Sequence, residues 1–114
     1  MTLQKEIISD LLALTRNGHL RVQTPVGKVD VLTSIEIIKV DNIQSWTRAL
    51  GAVLALGILY PFHVKKIYLY SDYSTSKYNI NMRDVMTVCT FYQVGVEVHD
   101  ANLESEFIAD EDCS

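Results

Sequence analysis

Four tyrosines and three lysines crowd one stretch of the chain, Tyr68, Tyr70, Tyr73 and Tyr78 with Lys65, Lys66 and Lys77. Aromatic rings that stack on bases, set beside ammonium groups that meet phosphates, suit a nucleic-acid strand. Lys65, Lys66, Tyr73 and Lys77 are therefore the candidate contacts for such a partner. The same residues also read as a strand face, at Tyr68 and Tyr70, running into an ordinary surface loop. The three histidines, His19, His63 and His99, lie far apart and show no ligand spacing beside a cysteine, so no zinc site is expected. Cys89 sits inside an apolar run and Cys113 next to the last residue. That placement does not suggest a structural disulfide, and a reducing compartment is the simpler reading.

These side chains need elements to hold them. Leu3, Ile7, Ile8, Leu11, Leu12 and Leu14 recur at helical spacing, with Thr2 as a candidate cap and Asn17-Gly18 as the stop. Three short Val/Ile-rich segments follow, His19 to Thr24, Val26 to Thr33 and Ser34 to Asp41, and predict a three-strand meander. The last of them is apolar from Ile35 to Val40 except at Glu36 and Lys39, as expected of a central strand covered on both faces. Asp41 or Asn42 can cap a second helix from Ile43 to about Leu59, ended by Tyr60-Pro61 and buried along Trp46, Leu50, Val53, Leu54 and Gly57. A strand at Lys66 to Tyr70, a polar loop, a helix from about Met82 to Tyr92 and a strand at Val94 to Val98 complete the order αβββαβαβ. Three strands without intervening helices cannot belong to a doubly wound parallel sheet. The fold class expected is α/β, a mixed sheet with helices on both faces.

At 114 residues the chain has room for one core, and 48% hydrophobic content is enough to build it without metals or disulfides. A domain over 1-102 and an acidic tail over 103-114, with Glu104, Glu106, Asp110, Glu111 and Asp112, are the expected divisions. That tail reads as a frayed end or as a docking segment for a basic partner. The amino end has no unbroken apolar stretch of the signal-peptide kind, and the longest apolar run, Ala49 to Phe62, is shorter than a membrane span and stops at Pro61. No membrane partner is expected. A formal net charge of −4 opposes broad attraction to nucleic acid, so any such binding must come from a local patch.

One ordered set of motifs says more. Thr24-Pro25-Val26-Gly27-Lys28-Val29-Asp30-Val31-Leu32-Thr33, then Glu36-Ile37-Ile38, Trp46, Ala49-Leu50-Gly51 and Tyr60-Pro61 resemble a small branch of the PD-(D/E)xK nucleases associated with cyanobacteria and large DNA viruses. The likeness runs from about Leu3 to Tyr70. It implies a restriction-endonuclease-like sheet and an intracellular setting, cytoplasmic, nuclear or within a virus particle. It also implies an active site in which an aspartate on the second strand and a Glu-x-Lys on the third converge on Mg²⁺, which activates water and stabilises phosphate charge. Asp30 matches the first position. At the third strand the pattern is broken, because Lys39 stands where the family has its glutamate and Asp41 where it has its lysine. Ala52 replaces a glutamine usual in relatives, and Glu6 matches an acidic position on the first helix, although the exposed side of a surface helix is the commoner explanation of a charge there.

Two readings follow from the resemblance. In one, catalysis survives by exchange: Asp30 and Asp41 hold Mg²⁺ and Lys39 assists the attacking water, so these three are the catalytic candidates and the two aspartates the metal ligands. In the other, Lys39 pairs with Asp30 or Asp41 and fills with its ammonium the space of the metal. The displaced carboxylate, about 6–7 Å along the strand, favours the second. The chain is then a nuclease-derived module without catalysis or cofactor, binding nucleic acid, a protein or further copies of itself. An exposed apolar patch on the Ala49 to Phe62 helix would favour assembly.

Overall fold

The computed structural model describes residues 3–71 and 80–100. Thr2, the expected cap, and the expected acidic tail over 103-114 lie outside the described residues. The elements are α1 (Leu3–Arg16), β1 (His19–Thr24), β2 (Gly27–Leu32), β3 (Glu36–Asn42), α2 (Trp46–Gly57), β4 (Val64–Ser71), α3 (Met82–Phe91) and β5 (Val94–Asp100), with a 3-10 turn at Ile43–Ser45. The expected order αβββαβαβ is observed. One sheet holds all five strands in the order β1-β2-β3-β4-β5. Its first two pairings are antiparallel, and β3, β4 and β5 run parallel.

Helices cover both faces. Ile8, Leu12 and Ala13 of α1 pack with Val31, Ile38, Val40 and Tyr70. On the other face Ala49, Leu50, Val53 and Leu56 of α2 and Val85 and Cys89 of α3 pack with Val29, Ile37, Ile67 and Leu69. Both parallel crossovers, through α2 and through α3, therefore lie on one side, as consecutive right-handed units require. α1 ends at Arg16; the next residue, Asn17, has a left-handed φ of 56°, and the Gly18 N–H donates to Ala13 O at 2.8 Å. A Cβ on Gly18 would sit 3.0 Å from the Leu32 carbonyl oxygen, so glycine here lets the helix end press against β2.

Two details differ from the expected outline. Asn42 does cap, but it caps the 3-10 turn, accepting from the Gln44 N–H at 3.0 Å, and α2 itself starts only at Trp46. The first hairpin also keeps one register throughout but is interrupted at its centre. Leu20 pairs with Val31 and Val22 with Val29, while Arg21, at φ 50°, and Asp30 between them form no pair. Residues two apart on a regular strand share a face, yet Val29 joins the core under α2 and Val31 the core under α1. Arg21 and Asp30 mark that interruption.

A cationic cleft around a buried aspartate

Asp30 is almost completely buried. The β2–β3 ladder runs through Leu32↔Ile37 and Val31↔Ile38, and beyond it Asp30 Oδ2 takes the Val40 N–H at 2.8 Å in place of a backbone carbonyl. A buried carboxylate is tolerated only with donors of this kind. The second donor is Lys39, whose Nζ lies 3.3 Å from Asp30 Oδ2 and also donates to Lys28 O at 3.0 Å. Lys5 Nζ of α1 is 3.7 Å from the same oxygen. Around this group a cleft of about 100 Å³ is lined by Lys5, Glu6, Ser9, Arg21, Lys28 and Asp30. Arg21 is held at its edge by Asp10, 3.3 Å away on the exposed side of α1.

Asp41 belongs to a different set of contacts. Arg48, near the start of α2, grips it from two nitrogens, Nη2 to Oδ1 at 2.9 Å and Nε to Oδ2 at 3.1 Å, and the Asn42 N–H donates to its Oδ1. Lys39 and Asp41 leave β3 on the Ile37 side by strand alternation. Lys39 reaches Asp30 because the ladder has opened there, whereas Asp41 is turned to α2. Among the described residues no three His, Cys, Asp or Glu side chains gather as a metal-ligand group. The donor set does not fit a divalent ion, since Asp30 already accepts one N–H and one ammonium and Asp41 is taken by a guanidinium.

The proposed aromatic and basic face is divided. Lys65 and Lys66 are neighbours on β4 and leave it on opposite sides. The Lys65 stem covers Gly57 at the end of α2, where an added Cβ would lie 2.6 Å from Lys65 Cδ. Lys66 Nζ is bound by Glu36 Oε2 at 2.6 Å and Glu97 Oε2 at 2.8 Å. Tyr73 and Lys77 lie outside the described residues. Of the histidines, His63 packs edge-on to Tyr60, and His99 Nδ1 is 3.2 Å from the Tyr68 hydroxyl.

Sequence reasoning passed over a second charged group. Arg16, at the end of α1, makes a two-pronged contact with Glu97 at 2.7 and 3.0 Å and lies 3.6 Å from Glu36. With Lys66 these residues form an alternating ring of two cations and two carboxylates across β3, β4 and β5. The Arg16 hydrogen bonds outweigh burial and, with Lys66, hold the Glu97 carboxyl down at about 2. Burial opposes the Lys66 charge, but its two carboxylate partners prevail and raise its pKa. Glu36 is thus a partner of Lys66 and Arg16, on the face away from Asp41. Lys5, Arg21 and Lys28 were also missed as cleft residues. The one available signal was Lys28, two positions before Asp30 on the same strand.

Three proteins of Acanthamoeba polyphaga mimivirus, each named as KilA-N domain-containing, are similar to this chain. The first is 33% identical over 97 residues, covering 85% of this chain and 37% of its own length. The second is 24% identical over the same number of residues and is covered over 26% of its length. The third is 43% identical over 61 residues, which are 52% of this chain and 16% of that protein. The chain therefore spans about a third or less of the relatives it matches. Their name describes whole proteins of which the likeness takes in a part. No protein-family model matches the chain, and no solved structure matches it.

Proposed function

We propose that this chain is a nuclease-derived module that binds nucleic acid through the Asp30 cleft and no longer hydrolyses it. The observation that carries the reading is the Lys39 ammonium, 3.3 Å from a buried Asp30, in the position where the PD-(D/E)xK pattern has a metal-binding glutamate. A site that needs two carboxylates around a cation has become one carboxylate with the cation built in. The surrounding groups suit a phosphodiester backbone. Lys5, Arg21 and Lys28 line one cleft with Glu6 and Asp30, and Lys39 neutralises Asp30 from beside it, which leaves the local positive charge that a chain of net charge −4 requires. Arg21 and Lys28, at the rim, offer donors to phosphate oxygens, and Asp30 with its Val40 and Lys39 partners fixes the floor. The viral relatives support kinship with DNA-virus proteins; the DNA- or RNA-binding role rests on the cleft.

The test is fluorescence anisotropy with labelled short DNA and RNA across a salt series. Binding should weaken linearly in log–log salt, and Arg21→Glu or Lys28→Glu should weaken it further, with each lost phosphate contact flattening the slope by about one. Lys65→Glu, on the opposite side of β4 from Lys66, should leave it unchanged. Absence of binding at low salt would refute the cleft. Loss on changing Lys65 or Lys77, with Arg21 and Lys28 indifferent, would move the contact to the tyrosine-rich segment.

A further inference from the structure

The end of the sheet opposite the cleft is apolar and open. Cleft residues Lys28 and Asp30 lie toward the start of β2, beside the second half of β3, and Lys5 lies in the first turn of α1. The three parallel strands begin at the other end. There Ile35 precedes β3, and its carbonyl accepts the Val64 N–H at 2.8 Å, which ties it to the first residue of β4. The turn from α2 into β4 adds Ile58, Leu59 and Phe62. Phe91 and Tyr92 close α3 just before β5, whose Val94 pairs with Lys65. These side chains are exposed to an unusual degree, Phe62 by 97%, Ile58 and Phe91 by 79% each and Ile35 by 65%.

We infer that this surface is where a second copy of the chain docks. Charge is the first argument. Residues 58–64 and 91–96 contain no Asp, Glu, Lys or Arg, so two chains of net charge −4 meet here without bringing like charges face to face. The same lack of cations disfavours a phosphate-bearing partner, whether nucleic acid or anionic lipid. Area is the second argument. Ile35, Ile58, Leu59, Phe62, Val64, Phe91 and Tyr92 together expose on the order of 1,000 Å², above the largest patch of an ordinary monomer and comparable to the ~800 Å² each partner gives to a standard interface. Phe62 and Phe91 are the anchors such an interface needs, large and apolar with little rotamer entropy to lose. Across a two-fold axis each patch faces itself. Because the cleft is at the other end of the sheet, pairing through this surface leaves both clefts open and pointing outward, and the inference stands or falls independently of what the cleft binds.

Sedimentation equilibrium of the full chain from about 1 to 100 µM, a range chosen to bracket ordinary dimer affinities, reads the inference directly. The intact protein should show a mass of twice 12.9 kDa. Phe62→Glu and Ile58→Glu should each weaken pairing at least about tenfold, with circular dichroism and melting unchanged because both side chains are already exposed. Val26→Glu, a change at a half-exposed apolar residue in the β1–β2 turn at the cleft end, should pair normally. A mass of 12.9 kDa at every concentration would overturn the inference, as would pairing that Phe62→Glu and Ile58→Glu leave intact. Monomers that instead bind neutral phosphatidylcholine vesicles through Phe62 would overturn it in favour of a lipid surface.

Discussion

With Lys39 removed, Asp30 would keep the Val40 N–H and the more distant Lys5 but lose its nearest cation. Breaking a buried pair leaves one charge uncompensated, and that penalty exceeds what the pair contributes when intact. Lys39→Met should therefore destabilise the protein by about 1–3 kcal/mol, below the full buried-pair figure because Lys39 is partly exposed and two donors remain. Urea unfolding should show a lower midpoint at an unchanged slope. A shift within the scatter of a surface substitution, about 0.5 kcal/mol either way, would mean that Lys39 is a solvated bystander. At this scale a motif drew attention to Asp30, Lys39 and Asp41, and the structure places each of them in an ion pair. Their contacts were not all legible: that Asp41 turns to Arg48 depends on where α2 starts, and that Lys5 and Arg21 border the cleft depends on a left-handed Arg21 that no glycine announces.

The elements were read well where periodicity is strong. α1, α2 and the Val/Ile-rich strands show regular spacing over many residues, and their order follows directly. Less visible was what pins them together. Arg16 ties α1 to β5 across 81 positions of sequence, and Lys66 ties β3 to β5; ion pairs this distant leave no local pattern. They do leave a pH signature. Glu97 titrates at about 2 in the folded chain against an ordinary 4.5. A carboxyl with a lowered folded pKa stabilises fully above its unfolded value and loses that contribution as pH falls toward the folded one. Melting temperatures of intact protein and Glu97→Gln should thus differ most above pH 5 and converge between about pH 4.5 and 2. A difference that stays constant over that window would mean that the ring across β3, β4 and β5 does not act through the Glu97 charge.

Over the whole molecule, the cleft and the uncharged patch lie at opposite ends of one sheet. The cations of the cleft stand beside Asp30 where the hairpin ladder is interrupted, and the uncharged patch lies where the parallel strands start. Net charge alone suggested a poor nucleic-acid binder, and composition alone could not show that the cations lie together, because Lys5, Arg21, Lys28 and Lys39 come from α1, β1, β2 and β3. The sheet and α1 bring them around Asp30. No helix among the described residues is long and apolar enough to cross a membrane. The most direct test of a cleft that binds without cutting is a nicking assay on supercoiled plasmid with Mg²⁺ or Mn²⁺, using intact protein, Asp30→Ala and Asp41→Ala. Intact plasmid in every lane is the expected result. Nicking by the intact protein that disappears in both variants would contradict the account, and would show instead that Asp30 and Asp41 hold a metal and that Lys39 serves the attack on phosphate.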